Sequence, residues 1–126
     1  MSELRARAPR RRADFLAARG VLLIVREPPA PLPAAPGQPA AVSANPAEGP
    51  EIFLACWSDG SVTALCGHVD LGTGLATALT QIVAEELSLA PERVHMLLGS
   101  TAAAPNQGAT IASASIQIHA QPLRQA

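Results

Sequence analysis

The chain has 126 residues, 48% of them hydrophobic and 15% charged, with a formal net charge of −1. These values exclude a charge-rich disordered chain, a collagen-like repeat and a multidomain enzyme, leaving one small domain. Aromatic residues make up 2%, so a core built from Ala, Val, Leu and Ile is marginal and calls for a partner or a large ligand.

The near-zero net charge conceals two unlike parts. Seven of the nine basic residues, all arginines, lie within residues 1–26 against only Glu3 and Asp14, while the remainder of the chain is acidic. A basic arm can touch nucleic acid, but no interleaved rings and no recognisable binding fold accompany this one, so nucleic acid is not an expected partner. Residues 10–26 (RRRADFLAARGVLLIVR) resemble a degenerate twin-arginine export signal. Arg19 interrupts the apolar run and Arg26 closes it, so an amphipathic basic extension fits as well, and both a cytoplasmic and a periplasmic location stay open. No stretch approaches the roughly 18 apolar residues of a membrane span, so an integral membrane protein is not expected. From Pro28 to Pro50 the prolines are dense enough for an extended linker. The expected organisation is therefore a disordered extension over 1–27, a Pro/Ala-rich linker over 28–50 and an ordered body over 51–126.

Within the body, Ile52–Trp57 reads as a strand, Ser58-Asp59-Gly60-Ser61 as a hairpin turn and Val62–Val69 as the returning strand. Gly72-Thr73-Gly74 breaks the ladder. Leu75, Leu79, Ile82, Val83 and Leu87 then recur at helical spacing, predicting a helix over Thr73–Leu89 that Pro91 closes. Arg93–Gly99 is a third strand, Ser100–Gly108 a loop, and the chain reads as helical from about Ile111. The fold class is α+β: hairpin, helix, strand, helix. A two-residue Asp-Gly turn pairs Cys56 with Thr63 and puts Cys56 and Cys66 on opposite sheet faces, while a loop one residue longer brings them to one face only as diagonal neighbours; two buried, reduced thiols are the prediction.

Three motifs carry candidate chemistry. Gly72-Thr73-Gly74 opens a helix, where exposed amides can hold an anion; as a dinucleotide fingerprint it lacks the third glycine and the ribose acid. Cys66, His68 and Asp70 alternate along one strand with His95 on the next, a conceivable metal set, although a hydrogen-bonded histidine near a strand end is the favoured reading. Pro105–Ser115 is rich in small residues and hydroxyls. Its bland role is helix capping; its sharper role is close approach to a bulky polar ligand.

Taken in order, the segment Gly67–Leu87, then Pro91-Glu92-Arg93-Val94, Gly99-Ser100-Thr101, Pro105-Asn106 and Ala112-Ser113-Ala114-Ser115 resembles the large subunits of molybdenum hydroxylases. That is the xanthine dehydrogenase and aldehyde oxidase family, here closest in flavour to its nicotinate or isoquinoline dehydrogenase branch. The resemblance covers about residues 51–126. It implies a molybdopterin-binding fragment in which Leu71, Gly72, Thr73 and Gly74 lie against the cofactor. Thr110, Ala112, Ser113, Ala114 and Ser115 would form a second wall, with Ile111 and Ala112 near the substrate. It further implies molybdopterin, with the cytosine dinucleotide as one form, and hydroxylation of an N-heterocycle or an aldehyde.

The departures are equally specific. Thr73 stands where the family usually has Gln, and the chain ends at Ala126 inside a helix that family members continue. By resemblance this is a truncated or split piece, not competent alone, that needs the remaining molybdopterin-binding subunit and an iron–sulfur subunit. Two cysteines cannot hold a cluster. A cofactor-free interaction module or decayed fragment, and a small nucleotide-binding domain, stay open as alternatives.

Overall fold

A computed structural model describes residues 9–27, 49–107, 110 and 113–126. Helix α1 (Arg12–Ala17) leads into strand β1 (Val21–Arg26); β2 (Glu51–Trp57) and β3 (Val62–Cys66) follow. Helix α2 (Leu75–Glu86), a 3₁₀ turn (Pro91–Arg93), β4 (Val94–Leu98), a π-helical turn (Ser115–His119) and helix α3 (Gln121–Gln125) complete the order. The strands form one sheet in the order β1-β2-β3-β4, antiparallel except for the parallel β3/β4 pair. A parallel pair needs a crossover, and α2 provides it. The α+β class holds.

One cluster joins the sheet to α2 and α3 through Leu54, Ala64, Cys66, Leu79, Val83 and Leu123. The other side gathers Phe15, Ile52, Ala55, Leu65 and Ala103. Phe15, from the arginine-rich head, is fully buried and lies 6.2 Å from the Trp57 ring. Burying such a ring contributes about 2–3 kcal/mol. The head is therefore not a disordered extension over its described part. Its apolar residues Val21 and Leu23 pack beside that ring as an edge strand, and the Arg12 amide donates to the Ala102 carbonyl at 2.9 Å. The arginines that suggest a leader frame a structural element. Residues 1–8 and nearly all of the linker lie outside the described residues.

The hairpin register differs by one residue from the two-residue turn that Asp-Gly suggests. Cys56 pairs with Val62, not Thr63. Trp57 accepts from the Gly60 amide and donates to the Ser61 carbonyl, while Gly60 sits at φ +80°, which makes a three-residue loop with a bulge. Both cysteines thus share the α2 face of the sheet, though not as directly opposed partners. Both are free; Cys66 is buried and Cys56 partly so. Burial pushes the Cys66 thiol above its ordinary pKa.

Strand β3 stops at Cys66 rather than running to Val69, because the chain passes too close to a neighbour. A Cβ added at Gly67 would lie 2.1 Å from the Pro105 carbonyl oxygen, so only glycine fits. Helix α2 is shorter at both ends than the predicted span Thr73–Leu89. Gly74, at φ +79°, precedes its first residue, and Ser88 adopts φ 53° beyond its end while the Leu89 amide reaches back to the Ala84 carbonyl. The C-terminal segment is not one helix: Ser113 is left-handed at φ 55°, and a π turn separates it from α3. Among the described residues no helix is long and apolar enough to cross a membrane.

Candidate functional site

The glycine turn is organised by Asp70. One carboxylate oxygen accepts from the amides of Gly72 and Thr73, both at 2.9 Å, and the other from Ala76 at 3.1 Å. The Ala76 amide, with those of Gly72, Thr73 and Gly74, holds the Asp70 carboxyl below the usual carboxylate range. Free helix-start amides waiting for an anion are therefore not what the turn presents. The chain's own carboxylate takes them, as a side-chain cap does. What the turn leaves open is its surface. A Cβ at Gly72 or Gly74 would meet nothing within 4 Å, and the Leu71 side chain is 70% exposed. Thr73 projects from the same exposed stretch.

The small-residue segment is stitched to the residues just before this turn. The Gly67 amide donates to Gln107 Oε1 at 2.9 Å. The Thr110 hydroxyl accepts from the Val69 amide at 2.9 Å and donates to the Val69 carbonyl at 3.1 Å. His68, fully buried, has Nδ1 2.6 Å from Ser115 Oγ and Nε2 3.2 Å from the Gln107 carbonyl oxygen. Gln107 Nε2 donates to the His119 carbonyl at 3.0 Å, and the two histidine rings are 4.3 Å apart. Thr110 and Ser115 are thus tied to the strand end that leads into Gly72–Gly74. Ser113 is exposed and Ala114 half-buried beside them. Ile111 and Ala112 lie outside the described residues.

The alternating Cys66, His68 and Asp70 do not form a ligand set. The strand ends before His68 can continue the alternation, His68 turns inward, and Asp70 turns outward onto the helix start. Among the described residues no group of three or more His, Cys, Asp or Glu is placed to hold a metal ion. The hydrogen-bonded histidine is the reading that the geometry supports. The sequence does not single out His119, and it offers Gln107 only as a member of the Pro105–Ser115 motif, in a Pro-Asn-Gln-Gly turn signature.

Comparison with known proteins identifies the family. Residues 30–126 match the family model of the molybdopterin cofactor-binding domain. The chain belongs to that family. This molybdopterin-binding chain is 54% identical over 117 residues, 91% of its length, to a nicotinate dehydrogenase subunit of Pseudomonas putida, of which it covers 10%. It is 40% identical over 60 residues, 48% of its length, to a probable xanthine dehydrogenase subunit of Bacillus subtilis, covering 8% of that protein. Mouse xanthine dehydrogenase/oxidase is 33% identical over 70 residues, 56% of the chain and 5% of the mouse protein. The chain therefore spans a tenth or less of each of these relatives. The family match also begins upstream of residue 51, where the resemblance read from the motifs starts.

Proposed function

We propose that this chain supplies two cofactor-facing turns to a molybdopterin-dependent hydroxylase or dehydrogenase of N-heterocycles or aldehydes. Leu71, Gly72, Thr73 and Gly74 form one wall; Thr110, Ala112, Ser113, Ala114 and Ser115 form the other, with Ile111 and Ala112 toward the substrate. The observation that carries the reading is the Thr110 hydroxyl, bonded to both the amide and the carbonyl of Val69, which ties the second wall to the first. The residues fit a large polar group. Open Cα faces at Gly72 and Gly74 allow close approach, and Thr73 and Ser113 are exposed hydroxyls. The fit comes through these surfaces rather than through the amides that Asp70 already engages.

Bound with molybdenum, the cofactor supplies the oxidation–reduction chemistry; this chain's residues bind and orient it. Asp70 keeps the glycine turn rigid, and the links from residues 67–69 to 107–115 fix the spacing between walls. So small a domain encloses only part of such a ligand, so the remaining molybdopterin-binding polypeptide and an iron–sulfur subunit complete the enzyme, and this chain alone does not catalyse. The cytosine dinucleotide form is the proposed cofactor, in keeping with the similarity to a nicotinate dehydrogenase. Co-expression with candidate partner subunits, followed by molybdenum analysis and pterin fluorescence of the purified complex, tests the proposal. A larger complex carrying both is the expected result, and a cofactor-free monomer contradicts it.

A further inference from the structure

Of the three histidines, only His68 is fully buried. Both of its ring nitrogens are engaged, Nδ1 with Ser115 Oγ and Nε2 with the Gln107 carbonyl oxygen. A carbonyl oxygen can only accept, so Nε2 carries a hydrogen. In the neutral ring Nδ1 is then bare and accepts, and the Ser115 hydroxyl must point its proton at the imidazole. What remains on the outer side of Ser115, a half-buried residue, is a pair of acceptor sites.

The geometry points to His68 as a positioning residue that fixes Ser115 as a hydrogen-bond acceptor, so that the serine-rich wall recognises an N–H or amino group of its ligand and not a phosphate oxygen. This rests on the proposed role of the two turns in holding molybdopterin, and adds which part of it faces Ser115: the nitrogen-bearing ring system. Protonation of His68 would invert the arrangement. With both ring nitrogens donating, Ser115 would accept from Nδ1 and turn its own proton outward.

The groups around His68 bear on that inversion. The His119 ring lies 4.3 Å away, and burial first, then His68, holds its imidazolium below the usual histidine range. The Cys66 thiol accepts from the His68 amide and is pushed toward its neutral form by burial. Asp70 has both carboxylate oxygens turned to amides around the start of α2. A second proton in the histidine pair meets a like charge at short range.

Nitrogen-15 NMR of the full chain labelled at histidine tests the assignment. The expected result is a neutral His68 with its proton on Nε2, and a shifted Nδ1 resonance in Ser115→Ala while Nε2 stays protonated. A ring protonated only on Nδ1, or an Nδ1 resonance indifferent to Ser115→Ala, overturns it. In the cofactor-loaded complex, Ser115→Ala should weaken molybdopterin retention about tenfold while Ser115→Thr, which keeps the hydroxyl, preserves it. Unchanged retention in Ser115→Ala counts against the assignment. A wild-type complex without molybdopterin contradicts the proposed function instead, and the tautomer measurement still decides the polarity of Ser115.

Discussion

The fully buried carboxylate of Glu51 accepts the Asn106 amide at 2.9 Å with one oxygen while the other meets Arg26 at 2.6 Å. A single side chain thus couples the edge strand from the arginine-rich head to the loop that begins the second wall. Glu51→Ala leaves the Asn106 amide without this partner and removes the acceptor of Arg26. The expected cost is about 2–4 kcal/mol, read as a lower denaturation midpoint with an unchanged slope. Glu51→Gln, which keeps an acceptor for Asn106, should cost less.

The head should behave as part of the domain. Phe15→Ala removes a fully buried ring packed against Trp57 and should destabilise by about 3–4 kcal/mol in chemical denaturation. A loss below about 0.5 kcal/mol would return the head to the status of an extension.

How much of this was legible in the sequence can be judged from particular residues. The continuous apolar run Ile52–Trp57 and the helical spacing of Leu75, Leu79 and Val83 announce β2 and α2, because a strand buried on both faces is apolar throughout while a helix buried on one face repeats at its own period. Strand β1 was hidden by its setting: arginines before it and a proline-dense stretch after it look like leader and linker, while its pairing with β2 is long-range. The register slip came from Gly60, whose left-handed backbone lengthens the loop by one residue. At the site, Gly72–Gly74 was visible as a break, but its amides were assigned to a ligand when Asp70, two residues upstream of the turn, engages them. The His68–Ser115 contact spans 47 residues, and no local pattern encodes it.

Acid should loosen the glycine turn. The folded-state pKa of Asp70 is depressed by the amides it accepts, so its stabilisation is present above the unfolded value, about pH 4, and is lost as pH falls through the lower folded value. Protection of the Gly72, Thr73 and Ala76 amides, taken relative to their intrinsic exchange rates, should fall over that window in the wild type. Asp70→Asn should lower protection at neutral pH and abolish its acid dependence. Identical acid profiles in the two proteins would show that Asp70 does not hold the turn. Asp59, depressed chiefly by its bonds to Ser61, titrates in the same direction at the hairpin and serves as an internal comparison.

Gly67→Ala should displace the second wall without melting the sheet. Its new methyl would collide with the Pro105 carbonyl, forcing the 105–107 loop outward and breaking the Gly67–Gln107 bond. The expected cost is about 1–3 kcal/mol, with chemical-shift changes concentrated at residues 105–119 and little change in α2. Uniform changes throughout the sheet would instead assign Gly67 a purely structural role.

The central claim, that the glycine-rich turn and the serine-rich wall hold molybdopterin, is tested most directly by blocking the first turn from outside. Thr73 is exposed, so Thr73→Trp fills the space above the turn and leaves the core untouched. Pterin fluorescence per chain should be stoichiometric in the purified wild-type complex and close to absent in the variant, with the same polypeptides present in both. A variant complex that keeps its full pterin content would contradict the account.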